Sequence, residues 1–352
     1  MMRFHISRLA CTVAIIGAVF GAAPPVAADQ MTHVVFPGES IQQAVDAAEP
    51  GDTVLLTPGT YRESVMVSTP GITLSGMGRR TVIEPAPTKT GKCAEAGNGI
   101  CVLGTKDHDV EGVTIASLTV TGFTGTGVFA MATDGLTVRN VTAVKNGVWG
   151  IAQERSVHGV FRKNTARDNG DAGLFLANTI KEEAGAADTG GTVVEHNRLE
   201  GNRIGLTVRR LRNLTVAGNH LTGNCAGVFV VGDENKPRAG ALTVRDNSVV
   251  KNNKSCPKTA RLDALQGSGI VLTGTEDALV TGNRVIGNAG ASSLSGGIVL
   301  FKSFVGTPSE RNRISDNVLE DNAPADLVNT DAGKDNTFEH NTCRASSPAG
   351  MC

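Results

Sequence analysis

The chain has almost none of the large amphipathic aromatics: one tryptophan, one tyrosine, and aromatics only 4% of 352 residues. Sugar-stacking platforms built on Trp or Tyr are therefore nearly absent. Charge of one sign is lacking too, since 33 basic residues meet 34 acidic ones. That balance disfavours nucleic acid as a partner, and no polybasic patch marks a membrane surface. No apolar run approaches the ~20 residues that a spanning helix needs. Cys-x-x-Cys pairs, phosphate-cradling loops and nucleophile elbows are missing, so redox, nucleotide and serine-hydrolase chemistry find no support. No low-complexity linker interrupts the chain, which predicts one elongated domain.

What the chain has in quantity is glycine, 43 residues, and asparagine at regular intervals. One set of corners carries Asn140, Asn164, Asn197, Asn219, Asn247, Asn283, Asn317 and Asn341. The next carries Asn146, Asn169, Asn202, Asn224, Asn252, Asn288 and Asn322. A Gly–aliphatic pair then follows, as in Gly127-Val128, Gly150-Ile151, Gly173-Leu174 and Gly205-Leu206. Asparagine tolerates the left-handed conformation of a tight corner, and its amide can bond the asparagine stacked above. The period of about 22 residues is that of a solenoid. This register resembles the right-handed parallel β-helix of the pectate-lyase-like superfamily, over roughly residues 38–343. The resemblance implies an all-β fold with three strands per coil. In it, Val128, Ile151, Leu174, Leu206, Val228, Ile270 and Ile298 point inward as one aliphatic column.

Residues 1–28 read as a secretory signal, with Arg3 and Arg8 before an apolar run and a small-residue site ending at Ala28. Cleavage there leaves residues 29–352, a secreted product of net charge −3 (−1 less two arginines). Six cysteines remain, an even number in an exported chain, which points to disulfides rather than zinc. Cys225 and Cys256 share a turn in consecutive coils, and Cys93 with Cys101 and Cys343 with Cys352 are the other short-range pairs. Ser40-Ile-Gln-Gln43 forms a capping box opening an amphipathic helix, so residues 38–50 are expected to cap the solenoid. Residues 343–352 are expected to be a disulfide-tied tail. The stretch from Ser40 to Glu63 is similar to the opening of many secreted β-helix lyases.

Every long insertion borders the first strand of a coil: residues 181–190, 232–240 and 303–310 on one side, 254–267 and 289–296 on the other. Loops on both sides wall a groove over that sheet. Its outward positions are unusually apolar, including Phe129, Met131, Phe175, Phe229 and Phe301. The expectation is that loops fold over this face and bury it as a second small core. The alternative keeps Phe175 and Phe229 as a sugar-contacting surface.

Polar candidates gather in the middle coils: Glu154, Arg155 and His158 after one first strand, Arg209, Arg210 and Arg212 after another, with Asp171 between them and Lys302 further along. A cation that neutralises a uronate carboxylate makes its C5 proton acidic, and a base can then remove it. His158, Glu154, Arg209 and Arg210 are the catalytic candidates; Arg155, Arg212, Asp171, Phe175, Phe229 and Lys302 are the substrate-binding ones. Each of these charges is equally readable as a solvated loop residue. Asp107-His108-Asp109 offers donors for calcium or zinc, the one cofactor suggestion in the chain.

The sequence departs from known relatives of this fold. Acids on adjacent first strands, which hold calcium in pectate lyases, are missing, and Asn329-Thr-Asp331 lacks the paired aspartates of the pectin-hydrolysing relatives. The resulting expectation is a secreted, monomeric β-helix acting on an extracellular polysaccharide, as a lyase or C5-epimerase of acidic sugars. The alternative is a non-catalytic β-helix that binds a surface glycan or a protein. A third reading, on the repeats alone, is a resemblance to β-helix proteins that help mature periplasmic copper enzymes.

Overall fold

Aliphatic and β-branched residues recur along runs of two to nine residues, and these runs pair in parallel from one coil to the next. The computed structural model describes residues 30–352 apart from 106 and 261; the expected leader and its cleavage site lie outside the described residues. From Met31 onward the chain forms one compact unit. Three parallel sheets stack the coils along a common axis. The first sheet has 11 strands, from Val65–Val67 to Ser346–Ser347; the second has 12, from Thr32–Val35 to Thr337–Glu339; the third has 10, from Gly59–Arg62 to Val318–Glu320. A right-handed parallel β-helix of three strands per coil is what the repeat predicted. Parallel strands must be covered on their inner faces, and the three sheets cover one another. The inward column runs from Val65 through Ile100, Val128, Ile151, Leu174, Leu206, Val228, Ile270 and Ile298 to Leu327, all fully buried in one cluster.

The asparagines form two hydrogen-bonded ladders, but their backbone role differs from the one expected. Both the backbone N–H and the amide of Asn164 donate to Asn197 Oδ1, at 2.9 and 3.0 Å, and the amide's other proton goes to Val138 O at 2.9 Å. The same links run from Asn197 through Asn219, Asn247, Asn283 and Asn317 to Asn341. The left-handed residue is the one before each ladder asparagine: Lys163, His196, Gly218, Asp246, Gly282, Asp316 and His340. Asn140 occupies that corner position (φ 54°), and Val141 stands in the ladder place. The physical division is simple. The corner residue turns its side chain to solvent, whereas the ladder residue must bury a group that can both donate and accept twice. Glycine at 127 and 150 has a different cause from a turn. A Cβ at either position would lie 2.6 Å from the next coil's glycine carbonyl and 2.8 Å from a ladder amide.

Helix α1 (Ile41–Ala47) begins with Ser40 accepting the Gln43 N–H at 3.3 Å, half of the capping box. The next two free N–H groups, of Ile41 (2.7 Å) and Gln42 (3.1 Å), are accepted by the Glu63 carboxylate. Ile41 and Val45 join the main core. The Gln42 amide pairs with both backbone groups of Met66, at 2.7 and 3.0 Å. It thereby saturates the edge of the first sheet's terminal strand, which would otherwise invite another chain. Disulfides join Cys93 to Cys101, Cys225 to Cys256 and Cys343 to Cys352.

A second hydrophobic cluster lies outside the first sheet. It gathers Trp149, Phe175, Phe229, Val271, Val299 and Phe301 under Leu265 and Leu294 from the loops at 254–267 and 289–296. Loops do fold over this face, as expected. Phe175 (7% exposed) and Phe229 (4%) are core residues, which removes them as a sugar-contacting surface.

Candidate functional site

Strand Ile151–Glu154 leads into a corner that passes through two left-handed residues, Arg155 (φ 46°) and His158 (φ 52°), before Val160–Arg162. Both side chains reach back to one turn of the preceding coil. His158 Nδ1 lies 2.6 Å from Asp134 Oδ1, and Arg155 Nη2 lies 3.0 Å from Met131 Sδ. The His158 side chain is 55% exposed. Its Nε2 edge packs against Gly190, where a Cβ would lie 2.3 Å from that nitrogen, so only glycine (φ 64°) leaves room for the imidazole. Asp188 anchors the Gly190 turn by accepting its N–H at 2.8 Å, and it accepts the Asn213 amide at 2.9 Å. Those two bonds, with smaller help from Arg212 and His158, hold the Asp188 carboxyl below the usual carboxylate range. The arrangement orients the imidazole through Asp134 and sets an exposed guanidinium on the same corner.

The other candidates are placed differently. Glu154 Oε1 accepts the Ile180 N–H at 3.0 Å, and Arg209 donates to the Thr179 and Ile180 carbonyls at 3.3 and 3.1 Å. These two therefore meet on residues 179–180, where they brace a loop. Arg210 is buried and ion-paired with both Glu183 and Asp233, and it also donates to Glu182 O at 2.8 Å. Arg212 donates to Glu276 (2.6 Å) and to Arg238 O (2.5 Å). All three guanidinium nitrogens of Arg210 are committed, so it cannot also clamp a substrate carboxylate and is corrected to a structural role; Arg212 is engaged through Nη1. Asp171 accepts the Trp149 indole N–H at 3.1 Å. Lys302 is exposed at the far end of the covered face. Among the described residues, Asp107, His108 and Asp109 form no group of three or more that could hold a metal ion.

Sequence reasoning missed Asp134, Gly190, Trp149 and Arg203. Asp134 was findable, because it precedes His158 by 24 residues, about one coil. Trp149 stacks on Phe175 with ring centroids 4.3 Å apart. Arg203 donates to Pro257 O and Asp263 O at 2.6 and 2.9 Å, holding the covering loop down; no periodicity announces such a contact.

Coils, ladder and covered first sheet together define the class: the chain has a right-handed parallel β-helix fold. The family described as right handed beta helix region matches residues 92–249, and the periplasmic copper-binding protein (NosD) family matches residues 177–347. Among solved structures, the mannuronan C-5 epimerase AlgE4 A-module of Azotobacter vinelandii is similar at 20% identity and TM-score 0.57, covering 86% of this chain and 90% of that one. An alginate lyase from Paenibacillus sp. str. FPU-7 is similar at 14% identity and TM-score 0.55, covering 86% and 99%. DFA-IIIase from Arthrobacter chlorophenolicus A6 is similar at 14% identity and TM-score 0.56, covering 87% and 92%. At these identities the likeness is one of fold. No curated protein matches the chain by sequence. The three disulfides fit an oxidising compartment outside the cytoplasm, and among the described residues no helix is long and apolar enough to cross a membrane.

Proposed function

We propose that the protein is exported and acts on an acidic extracellular or periplasmic polysaccharide, as a lyase or C5-epimerase. The observation that carries this reading is the exposed His158–Asp134 pair with the Arg155 guanidinium on the same corner. Asp134 fixes the imidazole so that Nε2 is the proton acceptor. Arg155 replaces Arg209 and Arg210 as the cation for the uronate carboxylate, since among the described residues no carboxylate is bonded to it. Nε2 takes the C5 proton. The electron pair then either forms the C4–C5 double bond and expels the 4-oxygen, or is reprotonated at C5 from the other face. The structural neighbours named as an alginate lyase and a mannuronan epimerase agree with this substrate class.

The test is incubation with a panel of uronate polymers. Elimination raises near-ultraviolet absorbance, and epimerisation exchanges solvent deuterium into C5. His158→Ala and Arg155→Ala are each expected to lower the rate by ~100-fold or more, with the fold intact. Activity that survives both substitutions removes these residues.

A second reading, non-catalytic binding of a glycan, is favoured by one observation: Arg210 is consumed by ion pairs. It is supported if binding occurs with neither absorbance change nor exchange. The copper in the name of the matching periplasmic family does not fit these residues. All six described cysteines are in disulfides, and no three His, Cys, Asp or Glu converge among the described residues.

A further inference from the structure

A second concave site lies elsewhere, a cleft of about 590 Å³ at the amino-terminal end, between α1 and the short helix α2 (Gly91–Glu95). Its volume is within the range of small-ligand sites. Met66, the outward residue of the first sheet's terminal strand, and Phe123 give it an apolar floor. The α2 wall is fixed to the sheet through Cys93, bonded to Cys101 on the neighbouring strand. The opposite wall is fixed through Gln42, which pairs with the Met66 backbone. The cleft is thus built on two anchored walls, a preformed space that a ligand enters without ordering a loop.

Its charges are unevenly committed. Glu63 spends both oxygens on Ser40, Ile41 and Gln42. Asp46 accepts the Gln42 amide at 2.8 Å, and Arg62 is paired with Glu84 at 2.8 Å. Lys89 and Lys92 line the same cleft, and among the described residues neither ammonium has a hydrogen-bond or ion-pair partner. The uncommitted charge is therefore positive, and it stands over an apolar floor. A group that matches both has a ring with an apolar face and a carboxylate on it.

We infer that this cleft binds an acidic sugar residue, with Lys89 and Lys92 on its carboxylate and Met66 and Phe123 beneath its ring. This rests on the acidic-polysaccharide reading above, and it assigns a second binding site apart from the His158 corner. A ring over these two side chains would lie against a flexible thioether and an aromatic edge, contacts that tolerate several sugars. The lysines would set the preference for acidic over neutral ones.

The experiment is calorimetric titration of the full chain with uronate tetrasaccharides and with neutral oligosaccharides of the same length. Lys89→Ala/Lys92→Ala, on exposed positions, is expected to weaken uronate binding at least tenfold with an unchanged melting temperature. Raising the salt concentration should weaken wild-type binding in the same direction, because the contacts are exposed ion pairs. His158→Ala is expected to stop turnover and leave this affinity within twofold. Uronate binding that ignores the lysine substitutions but is lost in His158→Ala overturns the cleft and leaves the polysaccharide reading standing. Neutral sugars binding as tightly as uronates overturn the role of the lysines. If no uronate binds the wild-type chain, the cleft and the reading it rests on fall together.

Discussion

The outer face of the first sheet is built from one strand pattern with two outcomes. Along the strands that contain Leu103, Phe129, Met131 and Glu154, those outward residues are half-buried. Along the strands that contain Phe175, Phe229, Val271, Val299 and Phe301, the same positions are closed. The strands do not cause the difference, since the inward column and both ladders run on through most of the same coils. Loop length does. The long insertions at 254–267 and 289–296 lie beside the later coils and place Leu265 and Leu294 on their outward residues. In this fold a sheet's identity as core or as surface is decided by what is inserted next to it, and the corner at Arg155 and His158 belongs to the coil at the margin of the cover.

The comparison is broken most directly by shaving one phenylalanine from each half. Phe229→Ala, in the covered half, is expected to cost about 3–5 kcal/mol, the usual range for a buried Phe. Phe129→Ala, on the half-buried side, is expected to cost about 1 kcal/mol, because much of its surface already meets water. Urea unfolding of both variants measures the difference. Equal losses would mean that the cover over Phe229 contributes nothing to its burial in solution.

The fold was legible in the chain because its signals repeat. Asn219 says little alone; in register with Asn197 and Asn247 it specifies a coil. The register still misled by one position, since asparagine suits both the left-handed corner and the ladder behind it, and only the hydrogen bonds separate Asn140 from Asn164. The site was legible in part. His158 and Arg155 stand on a repeating corner, so their neighbourhood followed from the period. The partners of Arg210 and Arg212 did not, because Glu183, Asp233 and Glu276 come from aperiodic loops or a corner two coils away. Free cations in the sequence became paired cations once those segments closed.

A smaller effect sharpens the role of the cover. Cys225 and Cys256, 31 residues apart, tie the covering loop to the corner before strand Ala226–Val231. Replacing both by serine is expected to cost about 2–4 kcal/mol through the freer unfolded chain. It should also raise the binding of a hydrophobic dye, since Leu265 and Phe229 lose their tether. The equivalent change at Cys93 and Cys101, separated by only 8 residues, closes a shorter loop and is expected to cost less. Dye binding that rises equally in both variants would show that the later loop is not what closes the face.

The smallest effect concerns the amino-terminal rung, where polar contacts supplement the apolar core. Asp52 is buried and accepts three bonds, from the Met31 N–H at 2.7 Å, His33 Nε2 at 2.9 Å and the Glu49 N–H at 3.0 Å. His33 first, then the two backbone donors, hold its carboxyl below the usual range. A carboxyl depressed in the folded state stabilises the fold above its unfolded pKa, and that stabilisation is lost as the pH falls through the depressed value. The rung Thr32–Val35 is thus expected to open first on acidification, below the ordinary carboxylate range, while the covered half stays closed. Hydrogen exchange followed along the chain measures the order of opening. Asp52→Asn should open the same rung already at neutral pH and flatten the acid response, because an amide cannot accept all three bonds as a carboxylate does. If the strand carrying Phe229 exchanged first on acidification, or if Asp52→Asn left the acid response unchanged, the amino-terminal rung would not be the acid-labile end of this β-helix.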